Sequence, residues 1–304
     1  MVDWAEVFTR PPVDAIVDGL LIPGRWTALV APAKAGKSTL ALHIAHTLAR
    51  GIDPFTGVRR APVTVLYIDG EMGELDVHER VVALDLTPTD LVRLHYTDRP
   101  PKGDTAPGGI AVESTVRALG VEVVILDGLN ALISGAENDD LPWRNLYELT
   151  IAPLKSAGCA VLSSDNTGHV ETHRGRGSSV KLDKADAVTE VKRTDSGVRL
   201  LTPRPRCAAY AREIVLAIDG AEGDRPITYR HALHSWPDGT HTAVALLDRL
   251  GVPRNAGRPA ALAALKAAGE GVRTEVLAAA IRYRKSAGTP PGTPPPEQLE
   301  GTAE

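Results

Sequence analysis

The segment from Trp26 to Leu40 constrains the fold of this 304-residue chain more than any other. An apolar strand, Trp26-Thr-Ala-Leu-Val-Ala31, leads into the small-residue loop Pro32-Ala-Lys-Ala-Gly36, and Lys37-Ser38-Thr39 opens an amphipathic helix. A strand, loop and helix in this order direct backbone N–H groups and a helix N-terminus at one point, where a phosphate can bind. The context favours a P-loop over a chance Gly-Lys-Ser sequence.

The chemistry of this loop predicts ATP and Mg²⁺ as ligands. Lys37 would reach the outer phosphate oxygens, and the hydroxyl of Ser38 would be a ligand of Mg²⁺. The first glycine of the pattern G-x-x-x-x-G-K-[ST] is replaced by Ala31, so we expect no positive φ there. Lys34 is predicted to be a solvated or phosphate-steering charge. The predicted nucleotide-binding residues of the loop are Ala31, Pro32, Ala33, Lys34, Ala35, Gly36, Lys37, Ser38 and Thr39.

Strand and helix patterns alternate after the P-loop. Helices are predicted over 38–50, 75–84, 112–119 and 146–157, the last interrupted at Pro153, and a loop over 99–109. The apolar runs at 62–68, 121–126 and 159–163 have the composition of strands buried on both faces. This alternation predicts an α/β fold with a parallel sheet flanked by helices.

The pattern changes near residue 187. A β-hairpin is predicted over 188–202, with further short strands at 213–218 and 227–231. Three helical patterns follow at 242–250, 258–268 and 274–285. We therefore predict an ATPase core over 1–235, a small helical domain over 241–285 and a disordered Pro-rich tail over 286–304.

Composition excludes several classes of protein. The net charge of −4 gives no overall signature of a polyanion-binding protein. Cys159 and Cys207 form no spaced pattern, which suits a reducing cytosol. No apolar run is long enough for a membrane span, so we expect a cytoplasmic protein without a membrane partner.

Polar side chains follow the predicted strands at the edge where open parallel sheets bind ligands. Either Asp69 or Glu71 could polarise the attacking water, and spacing does not separate them. Glu71 could instead simply cap the helix that starts near Leu75. Asp127 ends an apolar strand, as a Walker B aspartate that holds Mg²⁺ does, although an Asp-Gly turn would look the same. Asn166 or His169 could sense the γ-phosphate, unless the segment is a plain Asx-turn.

These motifs resemble the RecA-like branch of P-loop ATPases. Within it the chain is most similar to the AAA_25/RepA-type hexameric helicases, which are related to DnaB-type replicative helicases. The resemblance covers roughly residues 10–235. Where many members have a His-His pair followed by Thr, this chain has Asp165-Asn166-Thr167. The matching segments are Gly19-Leu-Leu-Ile-Pro-Gly24, the P-loop, Tyr67-Ile-Asp-Gly-Glu-Met72, Ile125-Leu-Asp127, and Arg176-Gly-Ser-Ser-Val-Lys181 leading to Ala185-Asp186.

The resemblance implies a RecA-like fold, ATP hydrolysis and chemistry between subunits. It assigns the catalytic glutamate to Glu71 and implies a homo-oligomer, a hexameric ring, in which a neighbour supplies a cation. Arg204 or Arg206 matches that cation in position, with Arg193 as a further candidate, although a basic surface turn is the alternative. Single-stranded DNA is the implied substrate, and replication-initiation or primase proteins are possible partners.

Two segments are candidates for the DNA contact. Residues 168–179 form a Gly-rich stretch with Arg174 and Arg176, which could grip phosphates or be a surface loop. The C-terminal helical domain has eight Lys/Arg against two Glu between Arg249 and Lys285, and could be a helix-turn-helix or winged-helix module or a packed helical cap.

The sequence thus predicts a RepA-type replicative helicase of a mobile element or phage. Two rivals remain. One is a nucleotide-gated DNA-binding or assembly ATPase that does not unwind DNA. The other is a ring ATPase that acts on a protein partner.

Overall fold

The computed structural model describes residues 4–9, 13–166, 181–194, 197–219, 227–232, 237 and 239–286. The chain divides into two compact units. The first comprises Met1–Arg193 and Gly197–Leu233, and the second comprises Thr194–Ser196 and His234–Glu304.

The first unit is built on a sheet in which nine strands are described. The strands are β1 (Trp26–Ala31), β2 (Val65–Asp69), β3 (Leu94–Thr97), β4 (Val123–Asp127), β5 (Ala160–Asn166), β6 (Ala187–Thr194), β7 (Gly197–Leu201), β8 (Glu213–Asp219) and β9 (Thr228–His231). Their order is β3-β2-β4-β5-β1-β6-β7-β8-β9. The pairs from β3 to β6 are parallel, whereas β7 pairs with β8 and β8 with β9 in antiparallel fashion. The predicted α/β class is confirmed.

Helices cover both faces of this sheet. The helices of the first unit are α1 (Trp4–Thr9), α2 (Lys37–Ala49), α3 (Glu74–Ala83), α4 (Ala106–Leu119), α5 (Asp140–Leu146) and α6 (Ala152–Ser156). The buried apolar residues of α2 pack on one face of the sheet, and those of α4, α5 and α6 pack on the other. Along β1, Leu29 belongs to the buried cluster that contains the apolar side of α2, while Trp26 and Ala28 belong to the cluster on the other face with Trp143. Because successive side chains of a strand point to opposite faces, continuous apolar runs are what a doubly covered sheet requires.

The loop predicted over 99–109 is wrong from Ala106 onward, where α4 already begins. Thr105 caps the helix, with its Oγ1 accepting a hydrogen bond from the Gly108 N–H at 3.2 Å. The glycines that indicated a loop serve close packing instead. A Cβ on Gly109 would lie 2.1 Å from the carbonyl oxygen of Leu149, so only glycine fits there.

The interruption predicted at Pro153 is also wrong in position. The helical path begins at Asp140 and includes a π-helical stretch, Tyr147–Ile151, between α5 and α6. Pro153 itself lies in the first turn of α6. Proline cannot donate to the carbonyl four residues earlier, which is that of Leu149. The π-helical stretch, which lies just before the proline and has a wider turn than an α-helix, accommodates this missing hydrogen bond.

The second unit consists of three helices in its described part. They are α7 (Thr240–Arg249), α8 (Arg258–Ala267) and α9 (Thr274–Ser286), which confirms the three helical patterns. Leu247, Leu265 and Leu277 belong to its buried cluster. The Pro-rich segment from residue 287 lies outside the described residues.

One basic residue of α9 has a structural role. Arg284 is buried, and its guanidinium donates to Asp248 Oδ1 at 2.8 Å and to the Val252 carbonyl oxygen. The positive charge counted along this domain therefore overstates the charge that solvent or a ligand can meet. Among the described residues, no helix has the length and apolar character needed to cross a membrane.

Candidate functional site

The P-loop joins β1 to α2 at the carboxyl edge of the parallel strands. β1 lies between β5 and β6, and Ala31 pairs in register with Asn166 at the end of β5. Ala31 is buried and does not have positive φ, as expected from its replacement of glycine. The loop instead turns at Lys34, with φ 64°, and at Gly36, with φ 91°.

Lys37 is held at the start of α2 by three acceptors. Its Nζ donates to the carbonyl oxygens of Ala31 and Pro32 at 3.1 and 3.2 Å, and to Asn166 Oδ1 at 2.8 Å. The residue is 6% exposed. Burial lowers the pKa of Lys37, and the nearby carboxylates of Glu71 and Asp127 oppose that shift. The ammonium is thus positioned where the N-terminus of α2 can bind a phosphate.

Asp127 ends β4 beside the P-loop hydroxyl. Its Oδ1 accepts a hydrogen bond from Ser38 Oγ at 3.2 Å and another from Ser164 Oγ, and its Oδ2 accepts from the Tyr67 hydroxyl at 2.5 Å. Burial, and then the Asp127 carboxylate, raise the pKa of Tyr67, which keeps this hydroxyl a donor. These donors fix the carboxylate in a defined orientation.

The structure separates the two candidates for the water-polarising carboxylate. Asp69 is fully buried, and its Oδ1 accepts from the backbone N–H groups of Glu71 and Met72, both at 2.9 Å. Its Oδ2 accepts from the Tyr96 hydroxyl at 2.7 Å. Asp69 is therefore occupied in shaping the turn after β2, and Glu71 is the carboxylate that reaches the site.

Glu71 lies over the turn that follows Asp127. Gly128 has φ 80°, and a Cβ there would lie 2.5 Å from Glu71 Cγ, so glycine is needed for both conformation and space. Burial, and then the Asp127 carboxylate, raise the pKa of Glu71, whereas Lys37 lowers it. A raised pKa suits a carboxylate that accepts a proton.

Asn166 connects the P-loop lysine with this glutamate. Its Oδ1 accepts from Lys37 Nζ, and its Nδ2 donates to Glu71 Oε1 at 3.3 Å. A cation on one side and a carboxylate on the other fix which way the amide points. Of the two sensor candidates, Asn166 is in the site, while His169 lies outside the described residues.

The residues present fit Mg²⁺ and a nucleotide. Ser38 Oγ and Asp127 Oδ1 offer a hydroxyl and a carboxylate oxygen side by side, and oxygen donors are what Mg²⁺ prefers. Within the described residues, no group of three or more His, Cys, Asp or Glu side chains could hold a metal ion.

The arginine candidates differ in their surroundings. Arg206 is bound to its own chain, since its Nη2 donates to the Asp183 carbonyl oxygen at 2.6 Å. Arg204 is exposed and makes no hydrogen bond or ion pair within the part of the chain that the structure describes. Arg193 is exposed near the end of β6. The exposed Arg204 is thus the freer of the two on the predicted turn.

Sequence reasoning missed four side chains that support the site. Arg80 of α3 donates to Thr39 Oγ1 at 3.3 Å, and Tyr67, Tyr96 and Ser164 orient the two strand-end aspartates. Tyr67 and Ser164 stand two residues before Asp69 and Asn166, so strand alternation places each pair on one face. That two-residue spacing could have predicted the roles of Tyr67 and Ser164, whereas no sequence pattern distinguished Arg80.

The residues of this site lie within a segment that resembles known proteins. A family model for an AAA domain, AAA_25, matches residues 1–171, which is more than half of the 304 residues. The chain belongs to the AAA_25 family. The matched range of this AAA_25 protein includes the P-loop, Glu71, Asp127 and Asn166. No curated protein matches the chain.

Among solved structures, this AAA_25 protein is similar to a KaiC-like protein from the hyperthermophilic archaeon Pyrococcus horikoshii. The identity is 12% and the TM-score 0.54, over 72% of this chain and 99% of the archaeal one. At this identity the likeness concerns the fold alone, and it confirms the RecA-like architecture. Family and fold together support a nucleotide-hydrolysing P-loop ATPase.

Proposed function

We propose that this AAA_25 protein is a ring-forming, Mg²⁺-dependent ATPase that moves along single-stranded DNA, as a RepA-type replicative helicase of a mobile element or phage. The observation that carries the ATPase part of the proposal is the chain of contacts from Lys37 through Asn166 to Glu71. It joins the group that would bind the γ-phosphate to the carboxylate that would handle the attacking water.

The reaction follows from these positions. Glu71 accepts a proton from water as the water oxygen bonds to the γ-phosphorus, and the bond from that phosphorus to the β,γ-bridging oxygen breaks to give ADP and phosphate. Lys37 neutralises charge on the β- and γ-phosphate oxygens. Ser38 and Asp127 would hold Mg²⁺, which offsets negative charge on the phosphates when bound.

The DNA part of the proposal is supported by the described residues on either side of the predicted DNA-binding stretch. The Gly-rich stretch 168–179 follows Asn166 in sequence and lies outside the described residues. Lys181, just after it, donates to Asp165 Oδ1 at 2.7 Å. Asn166, in the nucleotide site, and Lys181, behind it, therefore flank the predicted DNA-binding stretch, which favours coupling between the two ligands.

A neighbouring subunit would complete the site. We propose Arg204 for the trans position ahead of Arg206, because Arg204 is exposed and unpaired among the described residues while Arg206 is bound to a main-chain carbonyl. A guanidinium is always charged and can grip phosphate oxygens at two points. Arg193 is the remaining alternative.

The second unit is proposed to add DNA contacts. Arg254, Arg258, Lys266 and Arg282 are exposed on it, which leaves a basic surface even with Arg284 buried. Sequence-independent binding to phosphates needs no more than such a surface.

The test is the ATPase rate with and without single-stranded DNA, followed by strand displacement on a forked duplex. The proposal predicts stimulation of at least fivefold and unwinding of one polarity. Stimulation without unwinding would favour the nucleotide-gated DNA-binding ATPase. A rate indifferent to DNA would contradict the motor and favour a protein partner.

A further inference from the structure

A buried ion pair lies directly behind Asn166. Asp165 is 3% exposed, and the Lys181 side chain is 1% exposed. Lys181 Nζ donates to Asp165 Oδ1 at 2.7 Å and to Asn130 Oδ1 at 2.6 Å, and it stands 4.2 Å from the centre of the Trp143 ring. Two of the three ammonium donors are thus bound to these oxygens, and the charge lies over the Trp143 ring.

Strand alternation separates this pair from the nucleotide side. Ser164 and Asn166 point to the face where Asp127 and Lys37 lie, whereas Asp165, between them in β5, meets Lys181 on the opposite face. No contact of the pair is with a P-loop residue in the described part of the chain. Asp165 acts on Lys37 and Glu71 only through its charge, at a distance, so an effect on the positions of groups at the nucleotide must pass through a neighbour.

That neighbour is identified by one hydrogen bond. The same Asp165 Oδ1 that accepts from Lys181 also accepts from the backbone N–H of Asn166 at 2.9 Å. Lys181 in turn ties this carboxylate to Asn130, on the turn that follows β4. The ends of β4 and β5 are thereby fixed to each other beneath the sensor.

We infer that Asp165 and Lys181 are positioning residues, which hold the Asn166 backbone so that its amide spans Lys37 and Glu71 during ATP hydrolysis. This rests on the proposed hydrolysis at this site. A buried ion pair is weak evidence for stability, since apolar replacements often fold equally well. A displacement of about 1 Å in a catalytic group, however, can cost up to 100-fold in rate.

Removing only one partner would be a poor test, because it leaves an uncompensated buried charge. The informative variant replaces both residues by apolar ones of similar size, Asp165→Leu with Lys181→Met. Its matched control, Asp165→Asn with Lys181→Met, also removes both charges but keeps an oxygen able to accept from the Asn166 N–H. The two differ only at position 165.

The experiment measures kcat and KM for ATP, and the affinity for fluorescent ADP. For the apolar pair we expect kcat to be about tenfold lower than in the wild type and KM for ATP to stay within about threefold of the wild-type value. The affinity for ADP should also stay within about threefold, because ADP lacks the phosphate that Asn166 would contact. The matched control should stay within about threefold of the wild-type kcat. Equal losses in both pairs, or no loss in either, would overturn the inference.

A double-mutant cycle with Asn166→Ala tests whether the ion pair acts on hydrolysis through Asn166. If the pair acts through Asn166, the apolar pair lowers kcat no further in the Asn166→Ala background, whereas independent effects would multiply. Multiplied losses would overturn the inference. If the protein with the apolar pair does not bind ADP, the same cycle is run with Lys181→Arg in its place. The criterion is again that the substitution lowers kcat no further in the Asn166→Ala background. A wild-type protein without ATP turnover would overturn the proposed function itself, and the inference with it.

Discussion

We expect His46 to make the stability of the first unit sensitive to mild acid. It lies on α2, the helix that begins at Lys37, and is 4% exposed. Neither ring nitrogen has a hydrogen-bond partner among the described residues. Burial lowers the pKa of His46 to about 3; the nearby His43 and Arg50 also lower it, and Asp90 raises it.

The sign and size of the effect follow from linkage. The pKa of this histidine is about 6.5 in the unfolded chain and about 3 in the folded chain. Between these two pH values the unfolded chain binds one more proton than the folded chain. The free energy of unfolding therefore falls as the pH drops below about 6.5. Between pH 7.5 and 5.5 the unfolded imidazole goes from mostly neutral to roughly ten-to-one protonated, which is a loss of about 1–2 kcal/mol.

The variant His46→Leu removes this contribution without breaking a hydrogen bond. Urea unfolding is measured at pH 7.5 and 5.5 and followed by fluorescence, because Trp26 and Trp143 are buried in the first unit. The wild type should lose about 1–2 kcal/mol more than the variant between the two pH values, and the exposed His78→Gln should behave like wild type. An equal loss in wild type and His46→Leu would refute the reasoning.

Three further predictions concern the fold and the site. Gly109→Ala should destabilise the first unit by about 1–3 kcal/mol, because its Cβ would meet the Leu149 carbonyl oxygen. Urea unfolding checks this against Gly73→Ala, where φ is not positive and the added Cβ meets nothing within 4 Å. Asp69→Asn should lower the thermal midpoint through the turn after β2, whereas Glu71→Gln should leave it within about 2 °C, as calorimetry would show. Arg204→Ala should lower ATP turnover at least tenfold, whereas Arg206→Ala should stay closer to the wild-type rate. If subunits share sites, adding a Glu71→Gln protein to the Arg204→Ala protein should restore part of the rate. Equal losses of turnover in both arginine variants would contradict the assignment.

The sequence alone was sufficient to predict the parts of the site where the pattern of residue types is compatible with few structures. The apolar run of β1, the small-residue loop and the stripe on α2 predicted the P-loop, because a buried strand and an amphipathic helix have distinct periods. Asp127 was predicted from its place at the end of β4, and the structure puts it beside Ser38.

What the sequence left open depended on contacts between distant residues. The choice between Asp69 and Glu71 needed Tyr96, and Tyr96 belongs to β3, a half-buried edge strand with no apolar run to reveal it. Similarly, Gly108 and Gly109 indicated a loop by composition, whereas close packing against the Leu149 carbonyl is what requires glycine in a helix. The burial of Arg284 likewise depends on Asp248, far away in sequence. Local patterns carry no information on such pairings.

The central claim is that ATP is hydrolysed at the site formed by Lys37, Glu71 and Asp127. Its most direct test is steady-state ATP turnover with Mg²⁺, compared among wild type, Lys37→Ala and Glu71→Gln, with nucleotide binding measured in parallel. We expect turnover in the wild type, loss of binding and turnover in Lys37→Ala, and in Glu71→Gln retained binding with turnover lower by about 100-fold or more. A Glu71→Gln protein that turns over ATP at the wild-type rate would contradict the account.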